Sequence, residues 1–280
     1  MKILVTGGSG YLGIHVRKYL NADDLSRRAG FDILDENDVR MVRDYDAVIH
    51  LAAQLDKLPE AADLVFKTNV EGTLNLLRQM RKDSVFIFAS TKDVYGPFAD
   101  NFREVPEKCP TSYASQSALE WSKLIAERYV EYYAQANGFR ACILRMSTVF
   151  APQSDGNVSN FVGHYADAIN KGEPFILPGD GSPTRDFLHV DDFSAACVSF
   201  TESIIRRGLY NIGGGTANAL TLNGLISLME EVSGLQASVD KSASIDPPRP
   251  LNYVTDIKLI SQELGWGPKI SLAEGLKSLF

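Results

Sequence analysis

The sequence has few cysteines and no long apolar run. Its 280 residues include only three cysteines, which are widely spaced and lack the C-x-x-C pattern of a zinc or redox site. No stretch of about 18 consecutive apolar residues occurs, so we expect no membrane-spanning segment. The chain enters its first apolar strand without the basic and apolar regions of a signal peptide, which favours a cytoplasmic protein.

Positive charge is also scarce. The 28 Lys and Arg residues are outnumbered by 35 Asp and Glu residues, and the formal net charge is −7. Because no block of basic residues offsets this charge, the sequence argues against a nucleic-acid-binding surface. The histidines show no metal-ligand spacing, so we predict no metal site. Apolar content of 45% and charged content of 22% are typical of a globular protein.

A glycine-rich turn follows the first apolar run. Residues 6–13 read TGGSGYLG, directly after Ile3-Leu4-Val5 and before a helical pattern. The first glycine permits a tight turn, the second lets a pyrophosphate approach the backbone, and the third lets the next helix pack closely. The N–H groups of that helix then face the phosphates. This position between a strand and a helix predicts a dinucleotide site that includes Gly7, Gly10, Tyr11, Leu12 and Gly13.

The first half of the chain alternates short apolar runs with helical patterns. Strands are predicted at 2–5, 47–51, 85–89 and 141–144, and helices at 13–20, 63–80 and 118–136. This alternation is typical of βαβ units and predicts an α/β fold with a doubly wound, mainly parallel Rossmann sheet. After Pro152 the alternation weakens, although 210–212 favours a strand and 222–233 a helix. We expect a dinucleotide-binding domain over 1–152 and a smaller, mainly substrate-binding lobe over 153–280, with segments that return to the first domain.

The identity of the cofactor's phosphate stays open. The second strand must lie within 23–28, and its end is where a carboxylate binds the ribose of NAD or an arginine accepts the 2′-phosphate of NADP. Asp24 comes early, whereas Arg27 and Arg28 come where the strand should end. Arg27 therefore favours NADP, but two solvated arginines on a loop explain the same residues.

Several sequence segments, taken together in their order, identify a protein family more specifically than one glycine-rich turn does. They are HLAA at 50–53, NVEGTLNLL at 69–77, FASTKDVYG at 88–96, RDFLHVDD at 185–192 and LGW at 264–266. With them, nearly the whole chain resembles the extended short-chain dehydrogenase/reductase family. The resemblance is to its NAD(P)-dependent epimerase/dehydratase branch, which acts on nucleotide sugars. It implies hydride transfer through NAD or NADP.

The resemblance implies further cofactor contacts. Asp32 and Ile33 would hold the adenine edge. The small residues of Leu51-Ala52-Ala53, at the carboxyl edge of the sheet, would let the cofactor lie close to the backbone. Asn69 is a candidate cofactor contact, but an asparagine within a helix is equally a structural polar bridge.

The resemblance places a catalytic hydroxyl at Thr91, where it would hydrogen-bond the reacting sugar hydroxyl. Asp93 stands where dehydratases carry an acid, but Lys92 precedes it, which argues against dehydration. The family's central pair is Tyr-x-x-x-Lys. Lys123 fits the lysine position, yet Leu119 stands four residues before it, and the nearest upstream tyrosine is Tyr113.

Two explanations of this spacing stay open. In the first, Tyr113 reaches the substrate near Lys123 through a non-helical segment, since ten helical residues would separate them by about 15 Å. In the second, the pair is broken, and the protein binds dinucleotide and sugar with little or no turnover.

The substrate region offers two arginines. Arg185 and Arg249 are candidates for the diphosphate of a nucleotide sugar, because a guanidinium grips phosphate oxygens bidentately. We therefore predict an epimerase or ketoreductase whose partner is a nucleotide sugar. A homodimer is also possible through apolar residues of the helix that carries Lys123, although packing on the sheet explains the same residues: Leu119, Trp121, Leu124 and Ile125.

Overall fold

The computed structural model describes residues 1–112, 116–153, 160–242, 245–247 and 249–280. Its strands are β1 Ile3–Thr6, β2 Asp23–Leu25, β3 Ala47–His50, β4 Val85–Thr91, β5 Arg140–Met146, β6 Thr148–Phe150, β7 Pro174–Phe175, β8 Thr184–His189, β9 Arg207–Ile212, β10 Ala219–Thr221, β11 Ser238–Val239 and β12 Asn252–Tyr253. Six of them form the largest sheet, in the order β2-β1-β3-β4-β5-β9. Every pairing in this sheet is parallel.

The helices are α1 Gly13–Leu20, α2 Ala62–Phe66, α3 Gly72–Gln79, α4 Ala118–Asn137, α5 Phe161–Lys171, α6 Val190–Glu202, α7 Leu222–Ser233, α8 Lys258–Leu264 and α9 Leu272–Lys277. Helices α1 and α7 have the predicted bounds. The single helix predicted over 63–80 is divided, because a π-helical turn at Lys67–Glu71 separates α2 from α3.

Helices cover both faces of the large sheet. On one face, Val16 of α1 and Phe193 of α6 are fully buried in one apolar cluster with the sheet. On the other face, Leu76 of α3 and Val130 of α4 are fully buried in a second cluster. Parallel strands with both faces covered are the doubly wound α/β arrangement, so the predicted fold class is confirmed.

A smaller sheet lies in the second half of the chain. Strand β8 pairs in parallel with β6 and β12 and antiparallel with β10. A third apolar cluster joins this sheet to α5, α7 and α9. The division after residue 152 stays a prediction, and two later elements, β9 and α6, pack with the large sheet.

The chain changes direction across the large sheet at β1. Strand β2 lies on one side of β1 and β3 on the other, so the loops that follow β1 and β3 leave the same edge and diverge. In open parallel sheets, ligands bind in the crevice at this point.

Candidate functional site

The glycine turn after β1 is built for close contact. Gly7 has φ = +68°, and a Cβ there would lie 2.8 Å from the backbone nitrogen of Ala52. A Cβ at Gly13 would collide with the Gly7 carbonyl oxygen, which accepts a hydrogen bond from Gly10 N at 2.9 Å. A Cβ at Gly10 would meet, among the described residues, only that oxygen at 3.1 Å. The outer side of Gly10 is therefore open, as a cradle for a pyrophosphate requires.

Asp24 lies directly beside this turn. Its Oδ2 accepts hydrogen bonds from Ser9 at 2.5 Å, Ser26 at 3.0 Å and Arg17 at 3.1 Å. Its Oδ1 is buried and has no hydrogen-bond partner within the described part of the chain. A buried carboxylate oxygen without a donor is costly, and a ribose hydroxyl would supply the missing donor. Asp24 therefore fits a dinucleotide better than the sequence indicated.

The arginines after β2 lie farther along than expected. Strand β2 ends at Leu25, and Arg27 begins a separate 3₁₀ turn in which its side chain is exposed. Arg28 donates to the carbonyl oxygen of Ser9 at 3.1 Å. The carboxylate beside the glycine turn thus comes from Asp24, the middle residue of β2, and the place of Arg27 in the cofactor site stays a prediction.

Asp32 and Ile33 form a compact turn after β2. The Asp32 carboxylate accepts the backbone N–H of Leu34 at 2.9 Å. The Ile33 side chain is buried against Gly72, where a Cβ would lie 2.5 Å from the Ile33 Cδ1. The Ile33 carbonyl oxygen accepts a hydrogen bond from Asn75 at 3.1 Å. The turn is thus fixed from several sides, and its contact with adenine stays a prediction.

A chain of hydrogen bonds holds the end of β3. Ala52 N donates to Thr6 Oγ1, which lies 2.6 Å from His50 Nδ1. His50 Nε2 lies 2.8 Å from Thr73 Oγ1, which donates to the Asn69 carbonyl oxygen. Burial, and then the nearby ammonium of Lys123, lowers the pKa of His50 to about 3. A neutral imidazole therefore anchors the strand end that carries the half-buried Leu51, Ala52 and Ala53.

Asn69 is buried in the π-helical turn and bridges two segments. Its Oδ1 accepts Gln54 N at 2.8 Å, and its Nδ2 donates to Gln54 O at 3.0 Å and to Ser122 Oγ at 2.9 Å. These contacts tie the loop after β3 to α4 one residue before Lys123. The geometry is that of the polar bridge, and a cofactor contact by Asn69 stays a prediction.

Lys123 is buried beside the carboxyl half of the central strand β4. Its Nζ donates to the Ala89 carbonyl oxygen at 2.7 Å and lies 4.9 Å from the centre of the Phe88 ring. Burial lowers the pKa of Lys123 to about 8, although the nearby Glu127 carboxylate favours the charged form. The ammonium thus lies beside β4, the strand that leads to Thr91, and the catalytic role of Lys123 stays a prediction.

A buried ion pair holds α4 against the sheet. Glu127 lies one turn after Lys123, accepts a hydrogen bond from Ser90 at 2.6 Å and pairs with Arg145 at 2.7 Å. Arg145 also donates to the Tyr95 hydroxyl at 3.0 Å. Because Glu127 and Arg145 are almost fully buried, loss of either would leave an uncompensated charge.

The residue one turn before Lys123 is a buried leucine. Leu119 is 7% exposed, and α4 begins immediately before it at Ala118. Ser117 and Glu120 form a capping box at this end: Ser117 N donates to Glu120 Oε2 at 2.8 Å. Tyr113, which precedes the cap, lies outside the described residues.

The residues that flank positions 113–115 are both hydrogen-bonded to the segment that follows Thr91. Ser112 N donates to the Val94 carbonyl oxygen at 2.9 Å, and Gln116 Nε2 donates to the Asp93 carbonyl oxygen at 2.8 Å. Both acceptors lie two or three residues after Thr91. The chain therefore enters and leaves the interval 113–115 beside the end of β4.

Charged side chains crowd the end of β4. Thr91 is half-buried, and its hydroxyl accepts the backbone N–H of Asp93 at 3.1 Å. The Asp93 carboxylate pairs with Lys92 at 2.5 Å and with Lys57 at 3.1 Å. Burial alone would raise the pKa of Asp93, but the two lysines outweigh it and hold that pKa below its usual range. Lys57 also pairs with Glu120 at 2.7 Å, a contact that no local motif indicates.

The two predicted phosphate-binding arginines lie in different surroundings. Arg185 is 5% exposed and donates to three backbone carbonyl oxygens, those of Thr184 at 2.7 Å and of Pro250 and Leu251 at 2.8 Å. Arg249 is exposed, with Nη1 3.7 Å from Asp100. Arg185 thus ties the segment after Arg249 to β8, and diphosphate binding by either arginine stays a prediction.

The described ranges contain no candidate metal site and no candidate membrane-spanning helix. There, no group of three His, Cys, Asp or Glu side chains is placed to hold a metal ion. No described helix is both long and apolar enough to cross a membrane. All three cysteines are buried as free thiols.

Comparisons with known proteins extend over the whole chain. Residues 3–213 match the model of the NAD dependent epimerase/dehydratase family. The chain is 29% identical over 338 residues to CDP-paratose 2-epimerase of Salmonella typhi, covering 100% of this chain and 98% of that protein.

Solved structures show the same fold. The structure of MoeE5 in complex with UDP-glucuronic acid and NAD has a TM-score of 0.84 and 26% identity, and covers 100% of this chain and 97% of its own. That of UDP-glucose 4-epimerase from Thermotoga maritima with UDP-glucose has a TM-score of 0.82 and 29% identity, with coverage of 99% and 97%. Together with the family match, these structures confirm the predicted class of cofactor, a nicotinamide dinucleotide.

Proposed function

The chain belongs to the NAD dependent epimerase/dehydratase family, and from this premise we propose that it epimerises or reduces a nucleotide sugar. One observation carries the proposal: the Lys123 ammonium is buried beside the carboxyl half of β4, 2.7 Å from the Ala89 carbonyl oxygen. Ala89 precedes Thr91 by two residues in that strand. Burying an ammonium costs free energy that its partners offset only in part, as its lowered pKa shows, so a buried lysine at such a place is a candidate for a functional role. This one lies at the sheet edge that also carries the glycine cradle.

The residues around β1 and β2 would hold the dinucleotide. The backbone at Gly7 and Gly10 and the first N–H groups of α1 would take the pyrophosphate. Asp24 Oδ1 would accept a ribose hydroxyl, which favours NAD over NADP because a 2′-phosphate would meet a carboxylate. When bound, the nicotinamide supplies the acceptor and donor of hydride for the sugar carbon.

Residues of the chain would transfer the proton of the reacting sugar hydroxyl. Thr91 would hydrogen-bond the reacting sugar hydroxyl, and Lys123 would lower the pKa of Tyr113. Tyr113 would take the hydroxyl proton and return it. The anchoring of Ser112 and Gln116 to the Val94 and Asp93 carbonyl oxygens supports this role, because both residues lie beside the end of β4, close in sequence to Thr91.

The neighbours of Thr91 favour epimerisation or reduction over dehydration. Elimination of water needs a group that protonates the leaving hydroxyl. Asp93 is held ionised by Lys92 and Lys57, so it has no proton to give at neutral pH. In epimerisation the protein would return the proton that it took, and in reduction it would deliver one proton per turnover.

Two arginines would bind the substrate, and one face of α4 would form a dimer interface. Arg249 and Arg185 would bind the diphosphate within the lobe over 153–280. A homodimer would use the outer side of α4, where Trp121 is 37% exposed. Leu119 and Leu124 are buried within the chain, so they would contribute less than the sequence indicated.

A second candidate function rests on Leu119. If no tyrosine serves Lys123, the protein binds a dinucleotide and a nucleotide sugar without turnover. The two candidates are separated by incubating the purified protein with NAD, NADH or NADPH and a panel of uridine, cytidine and thymidine diphosphate sugars that includes keto sugars, and separating the products chromatographically. Formation of an epimer or reduced sugar supports the enzyme. Binding of both ligands without any product supports the second candidate.

A further inference from the structure

Four charged residues form a cluster at the end of β4: Lys57, Lys92, Asp93 and Glu120. Lys57 reaches from the loop after β3 to both carboxylates, and Lys92 reaches Asp93 from the other side. The cluster therefore joins the loop after β3, the end of β4 and the first turn of α4. In a protein of net charge −7, two lysines share one carboxylate beside the predicted catalytic hydroxyl of Thr91.

Lys92 is the unusual member of this β4-end cluster. It is 8% exposed, and an ammonium has three N–H donors. Among the described residues, the Asp93 carboxylate is its one hydrogen-bond acceptor, and the Tyr253 ring lies 5.2 Å away. Within the described ranges one carboxylate thus serves three N–H donors, and a ligand that supplied a further acceptor would offset the cost of burying the charge.

The charges around Lys92 favour an anionic acceptor. Arg185 and Lys57 are both close enough to disfavour the Lys92 charge, in addition to the effect of burial. An anion at the free side of Lys92 would be attracted by three cations. Asp93, the nearest carboxylate, is already paired with two of them.

We propose that Lys92 binds a carboxylate carried by the sugar, so that the preferred substrate is a nucleotide-linked uronic acid. The inference rests on the proposed function, since it assumes that a nucleotide sugar enters this site. Asp93 links the two residues, because its carboxylate pairs with Lys92 and its backbone N–H donates to the Thr91 hydroxyl. With that hydroxyl at the reacting carbon, the acidic group of the same sugar ring would lie at the Lys92 ammonium. The diphosphate would instead be bound by Arg249 and Arg185.

The test compares two ligands that differ in one group. Dissociation constants for UDP-glucose and UDP-glucuronic acid are measured by calorimetry on the NAD-loaded protein, for the native chain and for Lys92→Met. Charge-assisted hydrogen bonds are worth about 1.5–3 kcal/mol, so we expect the native protein to prefer the uronic acid by about tenfold or more. Lys92→Met should bring the two constants close together and leave UDP-glucose binding almost unchanged.

Two further variants control the experiment. Lys258→Met removes the same charge at an exposed position near Glu104 and Asp256 and should keep the native preference. Lys57→Met alters a side chain that is 54% exposed, so it provides a second probe if Lys92→Met does not fold. It should reduce the preference for the uronic acid in the same direction but by less.

The outcomes separate the inference from the proposed function. If Lys92→Met weakens both ligands equally, the lysine binds the shared diphosphate and the inference is wrong. If the native protein binds both sugars without preference, the inference is also wrong, but the proposed function stands. If no nucleotide sugar binds, whatever its base, the proposed function fails and the inference with it.

Discussion

Leu119 and Lys123 lie one turn apart in α4, and both side chains are buried. The position from which a helical tyrosine would face the ammonium therefore holds an alkyl chain with no proton to transfer. A tyrosine that serves this lysine, as in the proposed enzyme, would therefore come from outside α4.

Tyr113 is the proposed source, and Tyr113→Phe tests it. General acid–base catalysis contributes about 10²–10⁴-fold to a rate, so kcat should fall by a factor in this range while KM for the nucleotide sugar changes little. Unchanged turnover in Tyr113→Phe would remove this residue from the mechanism.

The matched variant places a tyrosine at the helical position. In the Tyr113→Phe background, Leu119→Tyr should not restore the rate if Tyr113 reaches the substrate from its own segment. Recovery of turnover in the double variant would show that a tyrosine at the helical position can take over the same task. The melting temperature of each variant checks that the larger buried ring at 119 has not destabilised the fold.

Asp24→Asn tests the choice of cofactor. The substitution keeps the size of the side chain and removes the charge beside the proposed ribose site. We expect NAD binding to weaken by about tenfold to a hundredfold, the value of a hydrogen bond to a charged group, and NADP binding to weaken less. Asp23→Asn is the matched control, because the Asp23 side chain faces the Tyr45 hydroxyl at 2.8 Å. An equal loss for NAD and NADP in Asp24→Asn would contradict the assignment.

The sequence predicted the fold where periodic patterns are long. Helices α1 and α7 have the expected bounds because their apolar residues repeat at helical spacing. Strand β2 has three residues, too few for a pattern, so the sequence predicts its end near Arg27, whereas it ends at Leu25 and Asp24 faces the glycine turn. The link from Lys57 to Asp93 and Glu120 joins residues 36 and 63 positions apart. Only the three-dimensional fold brings such residues together.

The charge on Lys123 predicts a pH limit. Its pKa is lowered to about 8 by burial, and its proposed tasks require the ammonium. The kcat/KM for the nucleotide sugar, which reports the free enzyme, should therefore decline as the pH rises through about 8. Lys123→Arg retains its charge at all such pH values, so its residual activity should lack this decline. A native profile that stays flat well above that pH would contradict the role.

Substitutions at Gly10 and Gly13 are expected to have different effects, one on cofactor binding and the other on folding. A Cβ at Gly13 would collide with the Gly7 carbonyl oxygen, so Gly13→Ala should destabilise the protein itself, by about 1–3 kcal/mol, in urea unfolding without cofactor. A Cβ at Gly10 would meet that oxygen at 3.1 Å and otherwise face the open side of the turn. Gly10→Ala should therefore unfold almost as the native protein does, but bind NAD about tenfold or more weakly. If Gly10→Ala bound NAD normally, the pyrophosphate would have to lie elsewhere than over this turn.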